Sequence, residues 1–526
     1  MSGPHSAVFA GAATRARAQE RFRRLAPALL IVVSAAAYLF RIGAASLWQD
    51  ESWSAMLVRT GLGQFVELVR AESGSQVLYY SLLRAWSGFG HSESWLRLPS
   101  ALCAIAALVV CYRLALRLFD RNVALVALAL LGVNPFFVFY AQEARGYTLA
   151  TLLITAATLA LVTAVESGRR RDWLGCALLA SLAAYAHLLS IFVIVAHALA
   201  LAALRPADRD RGGLLLAAGA TAVLLTPLAL LVWGGSGQVS GVAQPSLRDI
   251  LDVAVVLAGN RGWLGNLVVA LAWAAAGGAA VVVARRHGRG LQTWRWALVL
   301  AWSVVPGALA LALSLTSPVL SARYLIVALP GLCLLAALGL ARLSDPRVLG
   351  VVLLVVLVAS GARIVDRAGA VRYDEDWRTI THAVLTDAQP GDRLVFYVPW
   401  ASIPFQYAAL RHHTSLEGLS FYVPGDGWVP LAQVPRGGRA DAADSVRSGL
   451  PTGSGEGTAY GWVRVYEPAD LRDLRGADDT VWLLSTGTQE DVSLADVTAA
   501  LEATHRLEET ETVGRVTVAR YEPVRP

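Results

Sequence analysis

The chain has 526 residues, 56% of them hydrophobic and 16% charged, with a mean hydropathy of +0.51. Such a composition excludes a disordered protein and argues against an ordinary cytosolic enzyme. All 45 basic residues are arginine, and the net charge of +6 is unevenly spread: residues 1–362 carry 29 Arg against 15 acids, residues 363–526 carry 16 against 24. That is a chain in two compartments, not a nucleic-acid binder.

In chain order, a basic tail (1–24) precedes an apolar segment read as an uncleaved membrane helix. Spans are expected at 25–45, 98–118, 122–140, 145–164, 173–187, 189–204, 213–233, 264–284, 295–315, 323–341 and 347–362, eleven in all, because most approach the ~20 residues that cross the hydrocarbon core. With the N-terminus inside, 20 of the 29 arginines in this part fall in inner loops and tails. Retained basic loops mark the cytoplasmic face, so the N-terminus is expected in the cytoplasm of a multi-pass plasma-membrane protein.

The outer loop 46–97 contains two amphipathic pieces, Phe65–Val69 and Val77–Leu83, with Trp48, Trp53, Trp86 and Trp95 marking interfacial depth. They read as helices lying in the membrane surface. A second outer loop runs from Gly234 to Gly262. Residues 363–526 form an extracytoplasmic region with helices at 377–387, 403–411 and 494–501 and strands at 393–398, 480–484 and 514–521, a small α/β domain with partly parallel strands. Residues 424–460 read as loop. No glycine-rich phosphate motif follows the strand at 393–398, and there is no internal repeat. The four cysteines, Cys103, Cys111, Cys176 and Cys333, sit in apolar runs without metal-ligand spacing.

Four polar groups fall at the outer boundary. Asp50-Glu51 stands just beyond the first span, boxed by tryptophans. Either one carboxylate serves as a general base strengthened by partial desolvation, or the pair is solvated and caps the next helix. Gln142-Glu143-Ala144-Arg145-Gly146-Tyr147 is either a structural pair at a helix start or a cluster that binds sugar hydroxyls. Arg323 is either a bidentate phosphate ligand or a snorkelling side chain. His187 is either a packing histidine or an acid–base or phosphate-contacting group. Charges at a membrane boundary are expensive unless used, and the coincidence of all four on one face argues for one outward-facing cavity.

These marks carry a resemblance. Gln49-Asp50-Glu51, Leu78-Tyr79-Tyr80, Asn134-Pro135, Gln142 to Tyr147, and Arg323-Tyr324 followed by Pro330 resemble the membrane glycosyltransferases of GT-C fold, in the bacterial branch similar to protein O-mannosyltransferases and lipid A aminoarabinose transferases. Where many relatives show His-Pro-Pro, this chain has Gly74-Ser75-Gln76. The resemblance implies a GT-C-like domain over 25–362 that takes a sugar from a polyprenyl-phosphate carrier, with inversion, and passes it to an envelope glycan, glycolipid or protein outside the cytoplasm. It implies Asp50 as base and Glu51 as its support; Arg323, with Tyr324 and His187, at the donor phosphate; and Tyr79, Tyr80, Gln142, Glu143, Arg145 and Tyr147 around sugar or acceptor. No metal or other cofactor is expected from a local motif, although acids from separate loops leave a divalent cation open. The partners expected are the lipid-linked sugar, the acceptor and membrane lipids, with the chain monomeric. The competing reading is a membrane transporter or lipid flippase, disfavoured by the lack of internal symmetry or interrupted midplane helices.

Overall fold

The computed structural model describes residues 24–71, 74–205, 207, 210–234, 244–260, 262–343, 345–367, 372–411, 416, 418–424, 463–466, 479–486 and 493–524. The chain divides into two compact units. One comprises residues 1–42, 66–86 and 97–368; the other comprises 43–65, 87–96 and 369–526.

The helices are α1 (Arg24–Leu39), α2 (Gln49–Leu57), α3 (Leu62–Ala71), α4 (Val77–Ser87), α5 (Glu93–Leu118), α6 (Arg121–Gly132), α7 (Pro135–Ala141), α8 (Tyr147–Ser167), α9 (Arg170–Ala186), α10 (Ser190–Ala200), α11 (Arg211–Gly234), α12 (Leu247–Leu257), α13 (Gly262–His287), α14 (Leu291–Leu313), α15 (Leu329–Leu340, preceded by a 3-10 turn over Ala322–Ala328) and α16 (Pro346–Arg367). Among the described residues seven stretches are long and apolar enough to cross a membrane: α5, α8, α11, α13, α14, the turn with α15, and α16. The bent pair α6–α7 makes an eighth if it counts as one span. The protein is therefore polytopic, and the eleven expected spans are too many.

The reasons are local. Helices α1, α9 and α10 fall short of the ~20 residues a crossing needs, and α9 spends its first turn on the polar Arg170-Arg171-Asp172. Between α6 and α7 the axis turns by 61°. There Asn134 caps α7, its Oδ1 accepting from the N–H groups of Phe136 (2.9 Å) and Phe137 (3.3 Å), and Pro135 occupies the first turn. A side-chain cap followed by proline begins a helix and does not continue one. The expected outer loop 234–262 contains a helix, α12, opened by a reciprocal Ser246/Asp249 capping box. Both amphipathic pieces of the first outer loop are helical, as α3 and α4. The basic tail before Arg24 lies outside the described residues.

The second unit carries α17 (Trp377–Asp387), α18 (Ser402–Arg411), α19 (Leu494–Glu502) and six strands: β1 (Arg393–Phe396), β2 (Ser420–Pro424), β3 (Val463–Tyr466), β4 (Val481–Ser485), β5 (His505–Val513) and β6 (Val516–Pro523). They form one mixed sheet in the order β3-β2-β1-β4-β6-β5. The four strands from β3 to β4 are parallel, and β6 and β5 add antiparallel. The α/β character and partly parallel pairing agree with the sequence reading, which misses β2, β3 and β5. Strand β5 reads His-Arg-Leu-Glu-Glu-Thr-Glu-Thr-Val and is exposed along most of its length, so no apolar alternation announces it. The core is aromatic: Phe396 stacks on Phe421 at 5.7 Å, with the Phe405 ring edge-on to both. Beyond Pro424, the loop expected to residue 460 lies outside the described residues.

Candidate active site

In the first unit the Gln142–Tyr147 stretch is the irregular joint between α7 and α8. Gly146 makes the joint close. Its N–H donates to Gln76 Oε1 at 2.8 Å, and a Cβ there would lie 2.8 Å from the Ala186 carbonyl oxygen and 3.0 Å from Tyr79 Cβ. Only glycine lets the two backbones approach so closely. Gln76 itself is buried and left-handed, at φ 56°.

From this joint a continuous run of contacts extends through the predicted residues. Tyr79 Oη lies 2.9 Å from Ser100 Oγ, and that hydroxyl donates to the Arg145 carbonyl at 3.1 Å. The Arg145 guanidinium donates to Tyr80 Oη at 2.6 Å and sits 5.7 Å from the Tyr80 ring centre. Tyr147 packs on His187 with ring centres 5.5 Å apart, and His187 packs on Tyr324 at 5.8 Å. Arg323 covers the Tyr324 ring at 5.0 Å and donates to its hydroxyl at 3.3 Å. The fold thus gathers Tyr79, Tyr80, Arg145, Tyr147, His187, Arg323 and Tyr324 from four chain segments.

Gln142 stands apart from that run. Its side-chain amide donates to the carbonyls of Ala37 (3.1 Å) and Phe40 (2.9 Å) and ties the end of α1 to α7. Glu143 is fully buried, and its carbonyl accepts from the Arg145 N–H at 2.8 Å. Ser100, which the sequence reading does not name, and Gln76, named there only as part of the departure from His-Pro-Pro, hold the cluster together.

Asp50 and Glu51 belong to the second unit, in the first turn of α2. Successive helical residues are ~100° apart, so the two carboxyls leave the helix in different directions: Glu51 is fully buried, Asp50 half-buried. Anionic side chains suit this end of a helix. Trp48, the residue before α2, makes no side-chain cap; its ring instead packs against Tyr373, tilted by 35° with centres 3.9 Å apart. Nearby, Ser46 Oγ donates to the Glu375 carbonyl at 3.2 Å. The buried Glu375 carboxylate accepts from Trp377 Nε1 at 3.0 Å and from the backbone N–H of Gln49. Burial pushes the Glu375 carboxyl above its ordinary value and the neighbouring Asp50 charge adds to the rise, while its hydrogen bonds and Arg515 work against it. A cavity of about 260 Å³ opens beside this segment, lined by Ser46, Leu47, Glu93, Arg378, Tyr407 and Arg411 among others. Glu375 was invisible in sequence because it sits in an acidic run, Asp374-Glu375-Asp376, in which only Asp376 shows a helix-capping role. Among the described residues, no three His, Cys, Asp or Glu side chains are grouped to hold a metal ion.

A family model described as dolichyl-phosphate-mannose-protein mannosyltransferase matches residues 86–233. No curated protein sequence matches the chain. Among solved structures, ArnT from Cupriavidus metallidurans bound to undecaprenyl phosphate is 15% identical, with 94% of this chain and 97% of that one covered and a TM-score of 0.58. The same protein in its apo state gives 14% identity, the same coverage and a TM-score of 0.60. The Archaeoglobus fulgidus oligosaccharyltransferase tethered to an acceptor peptide gives 9% identity, coverage of 74% and 63%, and a TM-score of 0.51. The fold of this chain is that of these membrane proteins, and within it the chain resembles the ArnT and protein-mannosyltransferase branch.

Proposed function

We propose that this polytopic chain of GT-C-like fold is an inverting glycosyltransferase, moving a sugar from a polyprenyl-phosphate donor to an acceptor outside the cytoplasm. The observation that carries the reading is the paired-guanidinium cluster of the membrane unit. Arg145 bonds to Tyr80, Arg323 covers the Tyr324 ring, and His187 packs between Tyr147 and Tyr324, and guanidinium is suited to a phosphate monoester that must be held as it leaves. The likeness to ArnT, solved with undecaprenyl phosphate, supports the same donor class here.

In this reading Asp50 takes the proton from the acceptor hydroxyl as its oxygen bonds to the anomeric carbon. The bond from that carbon to the phosphate oxygen breaks on the opposite face, giving inversion, and the electron pair departs on the polyprenyl phosphate. Arg323 and Arg145, with Tyr80, Tyr324 and His187, stabilise that charge. Glu51 supports the start of α2, and Tyr79 and Tyr147 shape the sugar pocket. Glu143 completes its floor, and Gln142 supports it from outside by tying the end of α1 to α7. The arginine asymmetry supports a cytoplasmic N-terminus and an extracytoplasmic second unit. The acceptor is an envelope glycan, a glycolipid or a protein.

The test is a donor panel: the protein in membranes with a series of polyprenyl-phosphate sugars, each scored for consumption and for release of polyprenyl phosphate. One donor is expected to be consumed with inverted configuration in the product. Consumption of none, together with transport of an intact lipid-linked sugar across the bilayer, would overturn the reading in favour of a flippase.

A further inference from the structure

Residues 44–50, which lead into Asp50, are bound at four points by residues 373–378. Trp48 packs against Tyr373; Ser46 Oγ donates to the Glu375 carbonyl, and the Gln49 N–H donates to the Glu375 carboxylate; Arg378 donates to the Ala44 carbonyl at 3.4 Å. The same Arg378 pairs with Glu93 at the start of α5. The first turn of a helix exposes N–H groups with no intrahelical partner, and the one at Gln49 is satisfied by a carboxylate from more than 300 residues away in sequence.

The turn that presents Glu375 is itself held in an unusual shape. Tyr373 and Asp374 are both left-handed, at φ 53° and 58°, a conformation that non-glycine residues keep only where their surroundings impose it. The imposing element is the tip of the β5–β6 hairpin. The Arg515 N–H donates to the Asp374 carbonyl at 2.7 Å, and Gly514, at φ +63°, lies so close that a Cβ would sit 2.0 Å from that oxygen. Hairpin tip, left-handed turn, Glu375, Gln49 and Asp50 therefore form one mechanical series.

We infer that Glu375 is a positioning residue for Asp50: by accepting the Gln49 N–H it sets the start of α2, and with it the direction of the Asp50 carboxylate. The functional part of this inference rests on Asp50 being the base; the structural part stands without it. A role for the C-terminal region follows, as the brace of the loop that carries the base.

The experiment uses the full chain in lipid nanodiscs, with Glu375→Gln, Glu375→Ala and Asp50→Asn compared with the native protein. Amide hydrogen exchange is read over residues 46–57, and single-turnover transfer and donor affinity are read in parallel. Glu375→Ala is expected to speed exchange over this segment about tenfold and to slow transfer by about 10–100-fold, the scale of a small misplacement of a reacting group, with donor affinity within about twofold of native. Glu375→Gln keeps an acceptor oxygen and recovers most of both. Native exchange and transfer in Glu375→Ala, or a Gln variant no better than Ala with donor affinity lost in step, overturns the inference. If Asp50→Asn transfers normally while Glu375→Ala still loosens the segment, the assignment of the base fails and the brace remains. If Asp50→Asn is inactive while Glu375→Ala behaves as native, the brace fails alone.

Discussion

At the scale of single residues the chemistry separates into a carboxylate and two guanidinium groups. Replacing Asp50 with Asn keeps volume and removes the proposed base. Transfer measured in a single turnover from saturating donor should fall by about 10²–10⁴-fold, with donor affinity unchanged, and Glu51→Gln should fall less. Near-native chemistry in Asp50→Asn would remove it from the mechanism. Arg323→Ala should weaken donor binding or turnover by the worth of a charged hydrogen bond, about 1.5–3 kcal/mol; Lys should restore part, because it lacks the planar fork. An alanine variant with native donor affinity and turnover would make Arg323 a packing residue on Tyr324. Glu375 has a signature of its own in pH. Its folded carboxyl sits above its ordinary value, chiefly through burial, so the folded state holds that proton more tightly than the unfolded chain does. Its contribution to stability is most favourable below the ordinary carboxyl value and declines as pH rises through the raised one. Glu375→Gln should therefore gain thermal stability relative to native as pH climbs from about 4 to 7, and a difference that stays flat across that range would contradict the shift.

At the scale of elements, the site depends on joints and not on long helices. The α6–α7 bend is produced by Asn134 and Pro135, and Asn134 Nδ2 also donates to the Leu257 carbonyl at 3.2 Å, tying the bend to the end of α12. The α7–α8 joint depends on Gly146. A methyl group there meets backbone oxygen, Tyr79 and Gln76 at once, and backbone has no rotamer with which to yield. Gly146→Ala should cost about 1–3 kcal/mol, the usual range for overpacking, read as a lower unfolding temperature in detergent. Donor binding should weaken with it, since Arg145 and Tyr147 flank the glycine. An alanine variant as stable and as tight for donor as native would show that the joint relaxes freely.

At the scale of the whole molecule the prediction concerns sidedness. The arginine distribution leads to the expectation that the loop after α8 is inside and the second unit outside. A cysteine in place of the exposed Glu511 should react with an impermeant thiol reagent on intact cells, and one in place of the exposed Arg169 should react only after permeabilisation. Three of the four native cysteines are buried and Cys103 is half-buried within α5, so background labelling should be low. The reverse pattern would invert the orientation and remove the argument for an outward-facing site.

What could be read from sequence follows from what each signal measures. Apolar length and arginine placement report on transfer between water and lipid, a property of segments taken one at a time, and they suffice for a polytopic chain with a polar α/β C-terminal region. The Asp-Glu and Gln-Glu-x-Arg-x-Tyr marks are local, so the fold class and the residues Asp50, Arg145, His187 and Arg323 could be named. The span count failed at α1, α9 and α10, which fall short of a crossing, and at Asn134, where a side-chain cap breaks the helix. Strand β5 was missed because its polar sequence is stabilised by pairing with β6 and carries no burial pattern of its own. Only the tertiary structure could join Arg145 to Arg323 through His187, show Gln142 occupied with α1, or bring Glu375 to the N–H of Gln49. Those contacts link positions dozens to hundreds of residues apart, and such pairing is decided by packing, which no single stretch of the chain encodes.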